Sequence, residues 1–360
     1  MKKRDFFLTL RYAGAFIAWV IGSGFATGQE ILQFFGGFGY QSIAVLAVNF
    51  VGFLALGLII VTRGYEHREA DSFSHYEYYC GKTVGKIYSV VIRITLVLII
   101  SVLISAAGAT LEQYYSVDRR IGSVVMAVLL LTAYLAGFEK MVKIISCVSP
   151  FVIVFSVFVG GFTVIKDAGN FGEIGRYTQQ LSEFRTAPHW LLSSVLYLSL
   201  NFLTGSTYYT QLGRTAEGRR PLRAGAVLGA LALLLTIAAV NFAELLNAKD
   251  IVNVPVPTLF LAEKISGVFG TVFAAVLLLG MFSSCSTMIW SFCSGFFSSD
   301  RKKNRLFSAA AVLVCTLLGF VPFGDLVAAV YPMIGYAGLV FIALVIYNGI
   351  KSKIKEKTHE

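Results

Sequence analysis

Charge is scarce in this chain. Only 14% of its 360 residues are Asp, Glu, Lys or Arg, where a soluble globular domain carries about a quarter. The four histidines, His67, His75, His189 and His359, all fall in polar stretches or the tail. There is no HExxH, no CxxC, no GxxxxGK[ST] and no Asp pair within an apolar run. Metalloprotease activity and ATP-driven transport therefore have no motif to carry them. An intramembrane serine hydrolase would need a base beside its serine, and no apolar segment supplies one in a suitable place. An enzyme is not expected. The five cysteines, Cys80, Cys147, Cys285, Cys293 and Cys315, are odd in number and mostly sit in apolar segments. They read as small packing residues, not as disulfides or metal ligands.

What replaces charge is long apolar runs. Hydrophobic residues make up 56% of the chain, and its mean hydropathy is +0.74. No charge interrupts Ser42 to Val61 or Ile94 to Leu111, and Lys143 alone interrupts Val142 to Ile165. Such runs match the ~20 residues that a helix needs to cross a bilayer core of ~30 Å. Ten spans are expected, at roughly 6–35, 40–62, 86–112, 119–137, 140–165, 189–211, 221–246, 267–297, 305–322 and 326–349. No small-residue cleavage site follows Lys2, Lys3 and Arg4, so the first apolar segment is read as a span and not as a signal peptide.

The net charge of +10 does not form one basic face, and nucleic acid is not an expected partner. Basic residues alternate from loop to loop. They gather at Lys2–Arg4, at Arg63, Arg68, Lys82 and Lys86, at Arg214 to Arg223, at Arg301 to Arg305 and in the tail. The intervening loops are poor in basic residues or mix them with acids. The positive-inside rule then places both termini in the cytoplasm. The chain reads as one transmembrane domain over 1–360, with halves at about 6–165 and 189–349 and a cytoplasmic tail at 350–360. The Thr258 to Ile265 stretch after Pro255 and Pro257 predicts a short external helix.

Two spans contain residues that a plain membrane helix avoids. The first runs Ala18-Trp19-Val20-Ile21-Gly22-Ser23-Gly24-Phe25-Ala26-Thr27-Gly28-Gln29-Glu30. Each of its three glycines weakens a helix by about 1 kcal/mol relative to alanine. The polar cluster beside them is costly unless it faces protein or water. Span six, the first of the second half, carries Asn201-Phe202-Leu203-Thr204-Gly205-Ser206-Thr207. Interrupted spans at matching positions of two five-helix halves point to an inverted-repeat transporter. A break leaves orphan carbonyls on one side and orphan amides on the other. Carbonyls such as Ala18 and Ile21 suit a cation, and amides near Gly24 to Ala26 suit a carboxylate.

The Gly22-Ser23-Gly24-Phe25 string resembles the Gly-Ser-Gly signature of the amino acid–polyamine–organocation superfamily, whose members have the LeuT fold. The full Gly22 to Glu30 string is similar to that of the YkvI-like bacterial membrane proteins, and Phe202-Leu203-Thr204-Gly205 resembles the sixth-helix break of the superfamily. The resemblance implies an all-α integral membrane protein with a LeuT-like 5+5 inverted repeat, ten transmembrane helices and helices 1 and 6 broken. It also implies a secondary transporter of a small amino-acid-like or zwitterionic solute, working by cation symport in the bacterial cytoplasmic (inner) membrane. The solute would contact Gly22, Ser23, Gly24, Phe25, Ala26, Gln29, Glu30, Asn201, Phe202, Thr204, Gly205 and Ser206. In sodium-coupled members a sodium lies between first-helix carbonyls and two hydroxyls of the eighth helix. By that resemblance Ala18, Ile21, Gly280, Ser283 and Ser284 would hold it. The spacing of Ser283, Ser286 and Thr287 fits equally well. Some sodium-independent relatives place a fifth-helix lysine there; Lys143 is near the end of its span and is read as snorkelling to the interface. No cofactor beyond Na+ is implied.

Glu30 and Arg93 are charges at membrane depth. Glu30 is expected to meet the substrate's amino group or carry a coupling proton, and Arg93 to brace a gate or form a structural ion pair. Glu112, Glu244 and Lys264 are expected to be solvated at external helix ends. Phe25, Phe202 and Tyr208 flank the breaks and are candidates to close over a solute. A membrane receptor that binds such a solute without moving it is the alternative function.

Overall fold

The computed structural model describes residues 3–69, 74–136, 138–294 and 301–358. Among them the chain is helical, with no strand. In order come α1 (Lys3–Val20), α2 (Ser23–Ala26), α3 (Gln29–Phe34), α4 (Ser42–Glu66), α5 (His75–Tyr115), α6 (Arg119–Ala136) and α7 (Phe138–Lys166). They are followed by α8 (Ile174–Ser182), α9 (Trp190–Arg214), α10 (Arg219–Leu246), α11 (Ala248–Ile251), α12 (Pro257–Ile265), α13 (Gly267–Ser294), α14 (Arg301–Leu318) and α15 (Phe323–Thr358). Each of the ten predicted segments is helical. Five stretches are long and apolar enough to cross a membrane as they stand: Gly36–Glu66, His75–Tyr115, Arg219–Leu246, Gly267–Cys293 and Phe323–Gly349. A sixth is added if Phe151–Lys166 and Ala168–Ser182, bent by 79°, count as one span. The short helix predicted after Pro255 is α12, which begins at Pro257, where a missing N–H costs nothing.

Sequence punctuation explains the irregular places. The oxygen of Ser74 accepts from the Glu77 N–H and starts α5. Gly81, at φ 76°, kinks α5 before its apolar part begins. The predicted start of this span at residue 86 therefore marks the part beyond the kink, and His75 opens a helix where a loop was expected. The long outer connection predicted at 166–188 is not loose. It forms a 3₁₀ turn at Ala168–Glu173 and then α8. Arg185 donates to Gly37 O at 2.8 Å, and the Thr186 N–H donates to Gln33 O at 3.3 Å. The connection is thereby tied over the outer end of α3.

Glycines let the main helices touch backbone to backbone, as small residues do in membranes. A Cβ on Gly64 would overlap the Thr210 carbonyl, and one on Gly213 would overlap the Val61 carbonyl, so α4 and α9 cross at these two residues. Gly225 and Gly229 play the same part between α10 and the Tyr12–Phe16 face of α1. Overpacking such a crossing costs about 1–3 kcal/mol. Gly213→Ala is therefore expected to lower the melting temperature of the detergent-purified protein; an unchanged value would show that the helices can move apart freely.

Two expectations are corrected here. Span six is not broken: α9 runs without interruption from Trp190 to Arg214. The polar side chains of this helix bond to its own carbonyls, Asn201 Nδ2 to Tyr197 O at 3.0 Å, Thr204 Oγ1 to Leu200 O at 2.7 Å and Ser206 Oγ to Leu203 O at 3.2 Å. Gly205 is there because the Trp19 indole occupies the space a side chain would need. Glu244, in turn, is not solvated. It is 0% exposed, because α12 and the outer end of α3 cover the end of α10.

Candidate functional site

The first span does break, and twice. α1 ends at Val20, and Gly22 takes an extended conformation with φ −96° and ψ −171°. The chain makes one turn, α2, closed by Thr27 Oγ1 donating to Gly24 O at 2.6 Å. Gly28 then reverses it at φ 86°, a left-handed conformation that favours glycine, and α3 follows. A Cβ on Gly28 would run into the Glu244 carboxylate and would stand 2.9 Å from the Thr258 methyl and 3.1 Å from its backbone N. The hydroxyl of Thr258 donates to Ala26 O, and its N–H to Thr27 O at 3.2 Å. α12 thus fixes the broken segment from outside.

A cavity of about 410 Å³ lies against this break, within the size range of small-ligand sites. Span one lends it Ala18, Trp19, Val20, Gly22, Gly24, Phe25 and Glu30. α9 adds Leu200, Asn201, Thr204 and Tyr208, and α13 adds Ser283, Ser284, Thr287 and Met288. Ile99 and Leu103 of α5 and Tyr331 of α15 complete the wall. Trp19 and Tyr208 stack on one another at 5.5 Å between centroids. Among the described residues the lining is mostly apolar, with one carboxylate and no Lys or Arg.

Glu30 is the chemical centre of this wall. It is 7% exposed and flanked by tyrosines. A Cβ on Gly24 would stand 2.8 Å from the Tyr331 hydroxyl and 3.6 Å from Glu30 Oε2, so glycine at this position lets both approach the backbone. Tyr197, buried one turn before Asn201, also lies beside Glu30. An anion in such a place needs a cation or hydrogen-bond donors, and among the lining residues only neutral donors are present.

Not every expected site residue shares the cavity. Ala18, Gly22, Gly24, Phe25, Glu30, Asn201 and Thr204 do, while the side chain of Ser23 lies outside the described residues. Ala26 is fully buried, with its carbonyl turned to Thr258. Gln29 turns away to an outer cavity of about 200 Å³ that Glu112 and Asp325 also line, and accepts from Gln33 at 3.3 Å. Phe202 packs on Phe53 and Tyr209, at 5.3 and 5.6 Å. Gly205 meets Trp19, and Ser206 bonds within its helix. Of the cation set, Ala18, Ser283 and Ser284 line the cavity, with Thr287 beside them, whereas Ile21 and Gly280 do not. Ser286 is fully buried, and its hydroxyl meets no partner among the described residues. Thr287 Oγ1 donates to Ser284 O at 2.8 Å.

Arg93 is exposed on the outside of the bundle and is not part of the cavity. The side chains of Lys143 and Cys147 lie outside the described residues, and the other four cysteines are free. Sequence reasoning missed Trp19, Tyr197 and Tyr331 as site residues. One signal was available: Tyr331 precedes Pro332, a helix-interior proline in α15, and membrane helices tolerate proline where neighbouring groups satisfy the freed backbone.

No known family's sequence profile matches the chain. The uncharacterized membrane protein YkvI of Bacillus subtilis (strain 168) is 26% identical over 341 residues, spanning 92% of this chain and 93% of that one. The uncharacterized protein YyaD of the same strain is 22% identical over 343 residues, 93% and 95% of the two chains. Among solved structures, the Eremococcus coleocola manganese transporter in complex with an aromatic bis-isothiourea substituted compound has a similar fold. Its TM-score is 0.55 at 18% identity, over 97% of this chain and 79% of that one. With its apolar helices and its YkvI relative, the chain is a multi-pass helical membrane protein.

Proposed function

We propose that the protein is a secondary active transporter that moves a small amino-acid-like or zwitterionic solute by alternating access, coupled to a cation, sodium rather than proton. The observation that carries this reading is the buried Glu30 carboxylate, facing a cavity at a helix break with no basic residue among the described residues of the wall. A substrate ammonium would supply the missing positive charge. The amides of Ser23 to Phe25 begin a helix and have no acceptor within it, and they would take the substrate carboxylate. At four residues α2 contributes donors and not a macrodipole. The apolar part of the cavity would receive the side chain.

One solved structure of similar fold is that of a manganese transporter. A divalent metal would want several carboxylates, or softer nitrogen and sulfur ligands. Among the described residues Glu30 is the one carboxylate of this wall, with the Met288 thioether its one soft atom. That donor set favours an organic cation or zwitterion.

Ser283 and Ser284 across from Ala18 are proposed to hold the sodium, with Thr287 in reserve. We also propose the LeuT-like 5+5 repeat of the amino acid–polyamine–organocation superfamily within a single domain. It would comprise ten spans, both termini in the cytoplasm and residence in a bacterial cytoplasmic membrane. The pairing of helices supports it. α1 packs along α10, and α4 along α9, both through glycines. As spans, these are one with seven and two with six, pairs that exchange when the halves are swapped.

The test is thermal stability of the purified protein across an amino-acid panel, in sodium or potassium as the only cation. A solute that binds the folded state raises its melting temperature. The expected result is stabilisation by at least one amino acid, dependent on sodium and lost in Ser283→Ala or Ser284→Ala. No response to any member of the panel would sink this reading of the cavity.

A further inference from the structure

We infer that Glu244 and Asn241 form a sodium site of their own, outside the central cavity, where α10 meets the outer end of the broken span. Glu244 is 0% exposed, and neither of its carboxylate oxygens has a partner among the described residues. Asn241, three residues earlier on the same helix, is also 0% exposed, and its Oδ1 is likewise unpartnered. Three bare acceptors thus gather in one buried place. Its wall is built by two glycines. Glu244 Oε1 lies against Gly28, where a Cβ would overlap it. Asn241 Oδ1 and Glu244 Oε2 lie 3.8 and 3.9 Å from where a Cβ of Gly36 would stand. The Asn241 amide donates its Nδ2 to Ser42 Oγ at 3.0 Å, which turns Oδ1 the other way.

Among the described residues no side chain answers this charge. On α3, the neighbouring ionisable group is the like-charged Glu30, which lines the central cavity. Among the cations near this end of α10, Lys249 is exposed, Arg185 donates to Gly37 O at 2.8 Å, and Lys264 is engaged elsewhere. Its Nζ bonds to Asn247 Oδ1 and pairs with Asp167 at 3.6 Å and Asp250 at 3.9 Å. Thr258, which also crowds Gly28, gives its hydroxyl to Ala26 and its N–H to Thr27. Burying an anion uncompensated is strongly unfavourable.

A proton on one carboxylate oxygen donates one hydrogen bond and leaves at least one of the three acceptors bare. A hard cation takes all three at once. The set carries one negative charge, which matches a monovalent ion. These oxygens face Gly28 and Gly36, the residues that bracket α3, so the ion would pin the hinge of the broken span. This sodium is distinct from the one proposed at Ser283 and Ser284, and its binding does not require that the protein transport anything.

The test is a sodium titration of melting temperature against choline as the substitute cation, with no solute added. It uses the full-length protein, the Glu244→Gln and Asn241→Ala variants, and a Ser283→Ala/Ser284→Ala double variant. The wild type is expected to gain about 3 °C or more at saturating sodium, and the double serine variant, which lacks the other proposed sodium site, to keep a gain of its own. Glu244→Gln is expected to lose that gain and to melt in choline no lower than the wild type, because glutamine removes an uncompensated charge. Asn241→Ala is expected to shift the titration to at least tenfold higher sodium. A sodium response that survives Glu244→Gln, or that disappears with the two serines instead, overturns the site. So does a wild type that responds to pH through Glu244 and not to sodium, which would make the carboxyl a proton site.

Discussion

Glu30→Gln is expected to remove the stabilisation by amino acids without lowering the stability of the solute-free protein. Removing one partner of a buried charge pair costs about 3–5 kcal/mol, which corresponds to a loss of two orders of magnitude or more in affinity, at about 1.4 kcal/mol per tenfold. The solute-free protein should tolerate the change because no Lys or Arg lines the cavity among the described residues; glutamine breaks no ion pair described there. It can still accept from the neighbouring Tyr331 and Tyr197 hydroxyls. The check is a paired melting experiment, with and without the amino acid that best stabilises the wild type. If Glu30→Gln binds that amino acid as the wild type does, Glu30 is a structural acid and the ammonium sits elsewhere. If the variant fails to fold, the tyrosines and not a solute are what Glu30 serves.

Gly28→Ala should be far more damaging than Gly22→Ala, although both glycines lie in the same short string. Gly22 has φ −96°, a value any residue adopts, and nothing lies within 4 Å of where its Cβ would stand. Gly28 has φ 86° and is pressed on Glu244 and on the Thr258 backbone. A left-handed alanine costs about 1–2 kcal/mol, and the overlap adds about 1–3 kcal/mol. The expected loss for Gly28→Ala is about 2–5 kcal/mol in all, with loss of the amino-acid response because α2 is re-aimed. Gly22→Ala is expected to melt within about 0.5 kcal/mol of the wild type, the range of substitutions that disturb no special feature. Thermal melting of the two variants side by side decides the matter, and equal values would mean that the reversal at Gly28 is not a fixed part of the fold.

The contrast between spans one and six shows what the sequence could and could not convey. Both contain glycine among Ser, Thr and other polar residues, and the pattern alone assigns both the same break. In span one the glycines are accompanied by an extended break at Gly22 and a backbone reversal at Gly28. In span six Gly205 answers a partner 186 positions away, the Trp19 indole, and helix α9 continues through it. A residue's distant neighbour is not written beside it. The same applies to Glu244. Counting residues puts it near a helix end, and only the folding of α12 and of the outer loop over that end makes it buried. Arg93, by contrast, counts as deep along its helix but faces outward around it. Helix depth is legible from the length of an apolar run, whereas the direction a side chain faces is set by tertiary packing. The helical segments, the first break near Ile21 and the short helix after Pro255 were legible because local residues dictate them. Tyr331 and Tyr197 reach Glu30 through the packing of α15 and α9, which no local pattern encodes.

Uptake into proteoliposomes tests the central proposal most directly. The purified protein would be reconstituted with an inward sodium gradient and offered a panel of radiolabelled amino acids. The expected result is accumulation of at least one of them above its external concentration, abolished when the gradient is collapsed and absent in Glu30→Gln. Binding in detergent with no accumulation under any gradient would contradict the transporter and leave a solute receptor in its place.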